Sequence, residues 1–167
     1  MELYILRHAI AAPLGEVGNQ DDARRPLTPE GREKMKKIAR GMKNLGLKFD
    51  LIVSSPAARA RQTAQIAARA LKGKTEVQFS RHLAGGGNPV ALLKEMGGKR
   101  SAPKSVLLVG HEPGLSVLIS TLISGDEKSR IVMRKGGLAK LTTEGSAQKP
   151  RAALEWLLTP SQLRAIG

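Results

Sequence analysis

Two apolar segments, each followed at once by a histidine, constrain the fold of this chain more than any other feature. Leu3–Leu6 leads into Arg7 and His8, and Val106–Gly110 leads into His111 much later in the sequence. Near-continuous Leu, Ile and Val is typical of a parallel strand that is buried on both faces. Open α/β sheets bind their ligands beyond the carboxyl ends of such strands. We therefore expect both histidines at the ligand-binding edge of a parallel sheet.

Strand and helix signals alternate along the chain. The sequence predicts strands over 2–7, 49–54, 75–79 and 105–109, with helices that begin near Thr28, Ser55, Val90 and Pro113. Two further strands, over 137–143 and 152–158, have only a turn over 145–151 between them, which indicates an antiparallel edge. The order predicts a three-layer α/β/α sandwich, with a mostly parallel central sheet and an antiparallel edge near the C-terminus. We expect residues 1–167 to form a single domain.

The charge of the chain suggests anionic ligands. Lys and Arg total 28 against 14 Asp and Glu, which gives a net charge of +14 at pH 7. Nucleic-acid binding would fit this charge. The basic residues are dispersed, however, and aromatic residues are only 2%, so few side chains could stack on bases. A basic surface would equally attract phosphates or an acidic protein partner.

Cysteine usage and hydropathy indicate the cellular compartment and exclude some kinds of site. The chain has no cysteine, which excludes disulfides and thiolate metal sites and fits a reducing compartment. No apolar run approaches the roughly 20 residues that span a bilayer, and no signal peptide is visible. We expect a cytoplasmic protein with no membrane contact. Because its three histidines lack the spacing of a metal site, we expect no metal and no other cofactor.

The residues that could carry chemistry follow strand ends. Arg59 lies in the first turn of the helix after strand two, where a cation is unfavourable against the helix dipole and a bound anion would relieve the conflict. Alternatively Arg59 reaches into solvent, Ser55 only caps the helix, and His111 is a capping or packing group. Arg7 and His8, read alone, could simply be polar residues at a strand end.

Four other residues are possible accessory groups, and Ser55 at the start of the helix after strand two is one of them. Asp22 and Arg25 belong to a polar loop that could help to bind phosphate or could be no more than a charged loop before a capped helix. His82 stands beside the glycine-rich segment 84–89 and could be a solvated loop histidine. Neither a nucleotide P-loop nor a Gly-x-Ser-x-Gly nucleophile turn is present.

Taken together and in order, the motifs resemble the histidine phosphatase (phosphoglycerate mutase-like) superfamily, and within it the small SixA-type phosphohistidine phosphatases. The resemblance covers nearly the whole chain without an inserted cap domain. The motifs are Arg-His at 7–8, Arg-Pro-Leu-Thr at 25–28, Ser-Pro-x-x-Arg-Ala-x-Gln-Thr at 55–63 and Gly-His-x-Pro at 110–113.

The resemblance implies a role for each matching residue. His8 would be the nucleophile that takes the phosphoryl group, while Arg7, Arg59 and His111 would surround the phosphate oxygens. The imidazole of His8 must be neutral to attack, so its other ring nitrogen should donate to a backbone carbonyl. Arg offers paired planar donors to two oxygens, and His111 would help most if protonated. Phospho-His8 would then be hydrolysed by water, without a metal.

Two positions depart from the pattern of the superfamily. Ala9 stands where Gly usually follows the Arg-His pair, a change that is harmless unless the position needs a positive φ. Many members use a Glu after the third strand as general acid, whereas residues 81–85 contain no carboxylate. A protonated imidazole leaves more readily than an alkoxide, so the absent acid favours a phosphoramidate substrate; His82 could also replace the acid.

The sequence therefore predicts a metal-independent phosphatase with a phosphohistidine intermediate, acting on phosphohistidine of a partner protein such as a histidine-containing phosphotransfer domain. One alternative is a phosphatase for small phosphate esters or anhydrides. Another, from a different class, is a protein that binds phosphate or nucleic acid without catalysis.

Overall fold

The central sheet is built from strands that the hydrophobic runs predict. The computed structural model describes residues 1–15, 21–71, 75–97, 103–144 and 150–167. In chain order the strands are β1 Glu2–Arg7, β2 Leu51–Ser54, β3 Val77–Phe79, β4 Ser105–Gly110, β5 Leu138–Glu144 and β6 Arg151–Leu158. The helices are α1 Pro29–Asn44, α2 Ala58–Leu71, α3 Pro89–Gly97, α4 Gly114–Ser124 and α5 Pro160–Ile166. Short 3-10 helices cover Asp22–Arg24 and Arg81–Leu83.

The six strands lie in one sheet with the order β3-β2-β4-β1-β5-β6. β3, β2, β4 and β1 are parallel, whereas β5 is antiparallel to β1 and β6 is antiparallel to β5. The predicted antiparallel edge near the C-terminus is thus confirmed. Of the turn predicted between its two strands, residues 145–149 lie outside the described part of the chain.

Helices cover both faces of the sheet. Tyr4 and Leu6 of β1 pack into the cluster that holds the apolar faces of α1, α2 and α5. Their neighbours Leu3 and Ile5 point to the other face, into the cluster that holds α3 and α4. Because consecutive strand residues alternate between faces, one apolar run serves two cores. The predicted three-layer α/β/α sandwich is confirmed.

Local signals set most helix boundaries. Thr28 caps α1, its hydroxyl oxygen accepting the Gly31 amide at 2.9 Å, and Pro29 occupies the first helical position as predicted. The helix after β2 begins at Ala58, three residues later than Ser55, because the Ser55 hydroxyl oxygen accepts the Ala57 amide and holds a turn there. In the described ranges no helix is both long and apolar enough to span a bilayer.

Strand register places the chemically important residues. Arg7 pairs with Gly110 across β1 and β4, so His8 and His111 leave the sheet side by side. Ser54 of β2 pairs with Val109, and the Ser55 amide donates to the Val109 carbonyl at 2.9 Å. Three neighbouring strands therefore end at the same level of the carboxyl edge.

Candidate active site

Both predicted histidines lie in one buried cluster at this edge. The ring centroids of His8 and His111 are 5.0 Å apart, with the ring planes tilted by 53°. His8 is 6% exposed, and Arg59 and His111 are each 7% exposed. Arg7 and Arg59 are close enough for their charges to lower the pKa of both imidazoles. We refer to Arg7, His8, Arg59 and His111 as the phosphoryl cluster.

His8 is held as a neutral imidazole with a defined tautomer. Its pKa is lowered to about 3, chiefly by burial, and further by His111, Arg59 and Arg7, against the opposing effect of the Ala9 hydrogen bond. Nδ1 lies 2.7 Å from the Ala9 carbonyl oxygen. A carbonyl oxygen only accepts, so Nδ1 carries the proton and Nε2 keeps its lone pair. The expected backbone acceptor is thus that of the next residue, and Nε2 is free to act as a nucleophile.

Arg59 is oriented by Asp22 of the first 3-10 helix. Its Nη1 donates to the Asp22 carbonyl oxygen at 2.6 Å, and its Nη2 donates to Oδ2 at 2.8 Å. Arg25 approaches the other carboxylate oxygen, with Nη2 at 2.7 Å from Oδ1. Burial acts to raise the pKa of Asp22, but the hydrogen bonds and charges of Arg59 and Arg25 outweigh it and hold that pKa below its usual value. Asp22 is therefore linked to the phosphoryl cluster through Arg59, and Arg25 is linked to it through Asp22.

Ser55 contacts the second histidine. Its Oγ lies 2.8 Å from Nε2 of His111 and also accepts the Ala57 amide at 3.2 Å. With one lone pair occupied in this way, the hydroxyl can donate its proton to Nε2, which leaves the proton of a neutral His111 on Nδ1. Burial, and secondly Arg59, lowers the pKa of His111 to about 4, partly opposed by Asp22. His111 is therefore a neutral donor here, whereas the protonated form expected from the sequence is the one that a bound phosphate dianion would favour.

Three donor atoms of the cluster have no hydrogen-bond partner. In the described part of the chain, the buried side-chain nitrogen or oxygen atoms in this condition are Arg7 Nε, Arg59 Nε and His111 Nδ1. Arg7 is otherwise anchored through Nη1, which donates to the Met133 carbonyl at 2.7 Å. A buried donor without an acceptor costs about 1–3 kcal/mol. A tetrahedral oxyanion offers several acceptors at once and is the chemistry that these donors fit.

His82 is directed toward another element. Its Nε2 lies 3.2 Å from Oε1 of Glu95 on α3. Among the described residues, no hydrogen bond or ion pair joins the His82 side chain to the phosphoryl cluster. Within the same described ranges, no group of three or more His, Asp or Glu side chains is arranged to hold a metal ion.

Thr63 is a residue of the site whose role sequence reasoning missed. Its hydroxyl donates to the Arg59 carbonyl at 2.7 Å and accepts the Ala9 amide at 3.1 Å. It therefore joins the residue after His8 to the helix that carries Arg59. The spacing of four residues between Arg59 and Thr63 was the available signal, because it places both on one side of a helix.

Comparison with known proteins gives a consistent picture. The sequence model of the histidine phosphatase superfamily (branch 1) matches residues 3–84. An uncharacterised protein from Picosynechococcus sp. is 37% identical over 142 residues, 84% of each chain. A solved structure described as a candidate phosphohistidine phosphatase SixA from Agrobacterium tumefaciens is 28% identical, with a TM-score of 0.75 over 95% of this chain and 97% of that one. The chain belongs to the histidine phosphatase superfamily.

A further structure shares the fold of this chain at lower sequence identity. It is the protein histidine phosphatase SixA complexed with tungstate, with a TM-score of 0.82 and 23% identity over 98% of this chain and 99% of that chain. The match spans both the parallel strands and the antiparallel edge. The shared fold therefore extends well beyond residues 3–84.

Proposed function

We propose that the protein is a phosphatase that forms a covalent intermediate on His8 and removes phosphoryl groups from phosphohistidine of a partner protein. Membership of the histidine phosphatase superfamily supports phosphatase activity. The observation that carries the catalytic assignment is a neutral His8 beside three buried donors without acceptors. Residues 1–167 would act as one domain.

The first step is an attack of Nε2 of His8 on phosphorus. The new P–N bond forms as the bond from phosphorus to the substrate's imidazole nitrogen breaks, and the electron pair leaves with that nitrogen. If the distal nitrogen of the substrate ring is protonated, the leaving group is a neutral imidazole and needs no further acid. The absence of a carboxylate from residues 81–85 is therefore compatible with this substrate.

The second step returns the enzyme to its starting state. While phosphorylated, His8 is an imidazolium whose Nδ1 proton is held by the Ala9 carbonyl. Water attacks phosphorus, the P–Nε2 bond breaks, and inorganic phosphate and a proton are released. Arg7, Arg59 and the Nδ1 proton of His111 would compensate the charge on the phosphoryl oxygens in both steps.

The basic surface supports a protein substrate. A net charge of +14 would accelerate encounter with an acidic domain, such as a histidine-containing phosphotransfer domain, and this effect weakens as salt is added. The SixA structure is described as complexed with tungstate, which is a property of that protein. For this chain we propose that a phosphate group binds among the residues of the phosphoryl cluster.

The test compares variants on a phosphohistidine protein. His8→Ala should abolish phosphate release and the acid-labile phosphoenzyme, and Arg59→Ala should lower kcat/KM at least about 100-fold. Arg61→Ala is the matched control, since Arg61 is an exposed arginine on the same helix, and it should retain activity. Full hydrolysis by His8→Ala would remove His8 from the mechanism.

The same assay separates the rival functions. Turnover of p-nitrophenyl phosphate and sugar phosphates without any turnover of phosphohistidine would favour an ester phosphatase. Absence of hydrolysis of every substrate by the unaltered protein would favour a binding protein, which salt-dependent retention on DNA would then test.

A further inference from the structure

A cavity of about 630 Å³ lies directly beside the phosphoryl cluster. It is bounded by the glycine-rich segment 84–88, by His111 and by the start of α4. His111 forms part of its wall and has the unpartnered Nδ1, whereas Arg7, His8 and Arg59 do not line it. The cavity is therefore next to the position of the phosphoryl group and separate from it.

The charge of this cavity is opposite to that of the chain. Its lining includes two carboxylates, Glu112 and Glu127, but no Lys or Arg, although Lys and Arg outnumber acidic residues two to one in the sequence. Glu112 is held in place because Oε1 accepts the Ser116 amide at 3.2 Å. Glu127 is exposed. The remaining side chains of the wall are largely apolar, with Pro89 and Val117 among them.

The two adjacent charge environments restrict the substrate. A substrate whose phosphoryl group is held by Arg7 and Arg59, and whose remainder extends past His111, would enter this cavity, where the carboxylates contribute a negative potential. A second anionic group on the substrate would be repelled there, whereas a cation would be attracted. Apolar walls reduce solvent screening and strengthen both effects.

We infer that this cavity receives the leaving group and selects phosphorylated residues that are flanked by a cationic side chain. The inference rests on the proposed function, since it requires the phosphoryl group to bind at the phosphoryl cluster. It adds a local preference for Lys or Arg beside the phosphorylated residue. The positive surface elsewhere attracts the partner protein as a whole, and Glu112 and Glu127 determine which segment of that partner fits.

The test uses three aryl phosphates that differ only in a para substituent: a trimethylammonium, a neutral and a carboxylate group. At low salt the unaltered enzyme should favour the cationic over the anionic compound by about tenfold or more in kcat/KM. Glu127→Gln should reduce this ratio about threefold or more, and adding Glu112→Gln should bring it close to the ratio of the two compounds' uncatalysed hydrolysis rates. Glu33→Gln, an exposed carboxylate on α1, is the matched control and should leave the ratio unchanged.

The neutral compound separates charge selection from a loss of folding. If Glu112→Gln disturbs the start of α4, the variant should lose activity on all three compounds. The ratio of kcat/KM for the cationic and anionic compounds, measured in Glu127→Gln, then tests the inference. Equal turnover of the charged compounds by the unaltered enzyme, or an unchanged ratio in Glu127→Gln, would overturn the inference.

Peptides distinguish this failure from failure of the proposed function. Phosphohistidine peptides with Lys, Gln or Glu next to the phosphorylated residue should be hydrolysed in that order. If none is hydrolysed while the aryl phosphates show the charge preference, the proposed substrate is wrong and the assignment of the cavity stands. If no compound is hydrolysed at all, both are wrong.

Discussion

The two neutral histidines of the phosphoryl cluster should make the protein unusually sensitive to mild acid. The fold lowers the pKa of His8 to about 3 and that of His111 to about 4, from an ordinary value of 6.5, with burial as the main cause. The unfolded chain therefore takes up two protons as pH falls below 6.5, while the folded chain does not. By linkage, the contribution of these two groups to the free energy of unfolding is fully present above about pH 6.5. It is lost as the pH falls from 6.5 toward the folded pKa values.

The size of the effect follows from the same pKa values. Near pH 5 an unfolded histidine is almost fully protonated, which stabilises the unfolded state by about 2 kcal/mol for each group that stays neutral in the fold. For His8 and His111 together the loss between about pH 7.5 and about pH 5 is about 4 kcal/mol. Ordinary Asp and Glu titrate at 3.8 and 4.5, so they contribute little in this window.

Urea unfolding at the two pH values, in buffer free of phosphate, measures this loss. His8→Asn and His111→Asn should each remove about half of it, because each deletes one of the two groups. His82→Asn, a matched control whose histidine is partly exposed beside Glu95, should leave the loss unchanged. A protein equally stable at both pH values, or single variants that lose as much stability as the unaltered chain, would refute the reasoning.

Three further variants test other contacts of the site and fold. Ser55→Ala should lower kcat/KM about tenfold and change the ¹⁵N shifts of His111 to those of a tautomer mixture, because the hydroxyl donor to Nε2 is lost. Ser55→Thr keeps the hydroxyl and should restore both. An unchanged tautomer in Ser55→Ala would contradict the assignment of the proton to Nδ1. Asp22→Asn should tighten inhibition by inorganic phosphate about threefold to tenfold at low salt, because it removes a negative charge from Arg59; weaker inhibition would be the opposite result. Gly41→Ala should destabilise the fold by about 2 kcal/mol in thermal or urea unfolding, despite the better helix propensity of Ala, because a Cβ there overlaps a backbone carbonyl of α5; a gain in stability would contradict this.

The phosphoryl cluster could be predicted from sequence because its residues sit at ends of locally recognisable elements. Arg7 and His8 end an apolar run, His111 follows another, and Arg59 lies in the first turn of a helix. Residues that follow parallel strands of one sheet lie at the same carboxyl edge of that sheet. The residue types then restrict the chemistry.

The contacts that orient the cluster could not be predicted in the same way. The bond between Asp22 and Arg59 joins residues 37 positions apart, and that between Ser55 and His111 joins residues 56 apart. Both depend on how a loop and a turn settle against α2 and β4 once the sheet has formed. Periodicity describes the inside of an element and carries no information about such partners.

The strand order could likewise be predicted only in part from the sequence. Alternation of strands and helices, followed by two consecutive strands, predicted an antiparallel edge but not its position. In the fold β5 pairs with β1, so β6 becomes one edge strand and β3 the other. The choice depends on which edge remains free after the parallel strands have paired, and that is a property of the whole sheet.

The two guanidinium groups of the phosphoryl cluster would affect free His8 and phosphorylated His8 in different ways. Without an anion, Arg7 and Arg59 add to burial in keeping His8 neutral, and in the proposed mechanism this is the form that attacks. In that mechanism, formation of the P–N bond would turn this imidazole into a cation, which burial beside two arginines would strongly oppose. The negative phosphoryl oxygens would reverse the balance, because they would be joined to the imidazolium through phosphorus and so lie close to its charge. A cluster that is unfavourable for a free imidazolium would therefore suit a phosphorylated one, and the proposed mechanism predicts that the charge of the substrate itself stabilises phospho-His8.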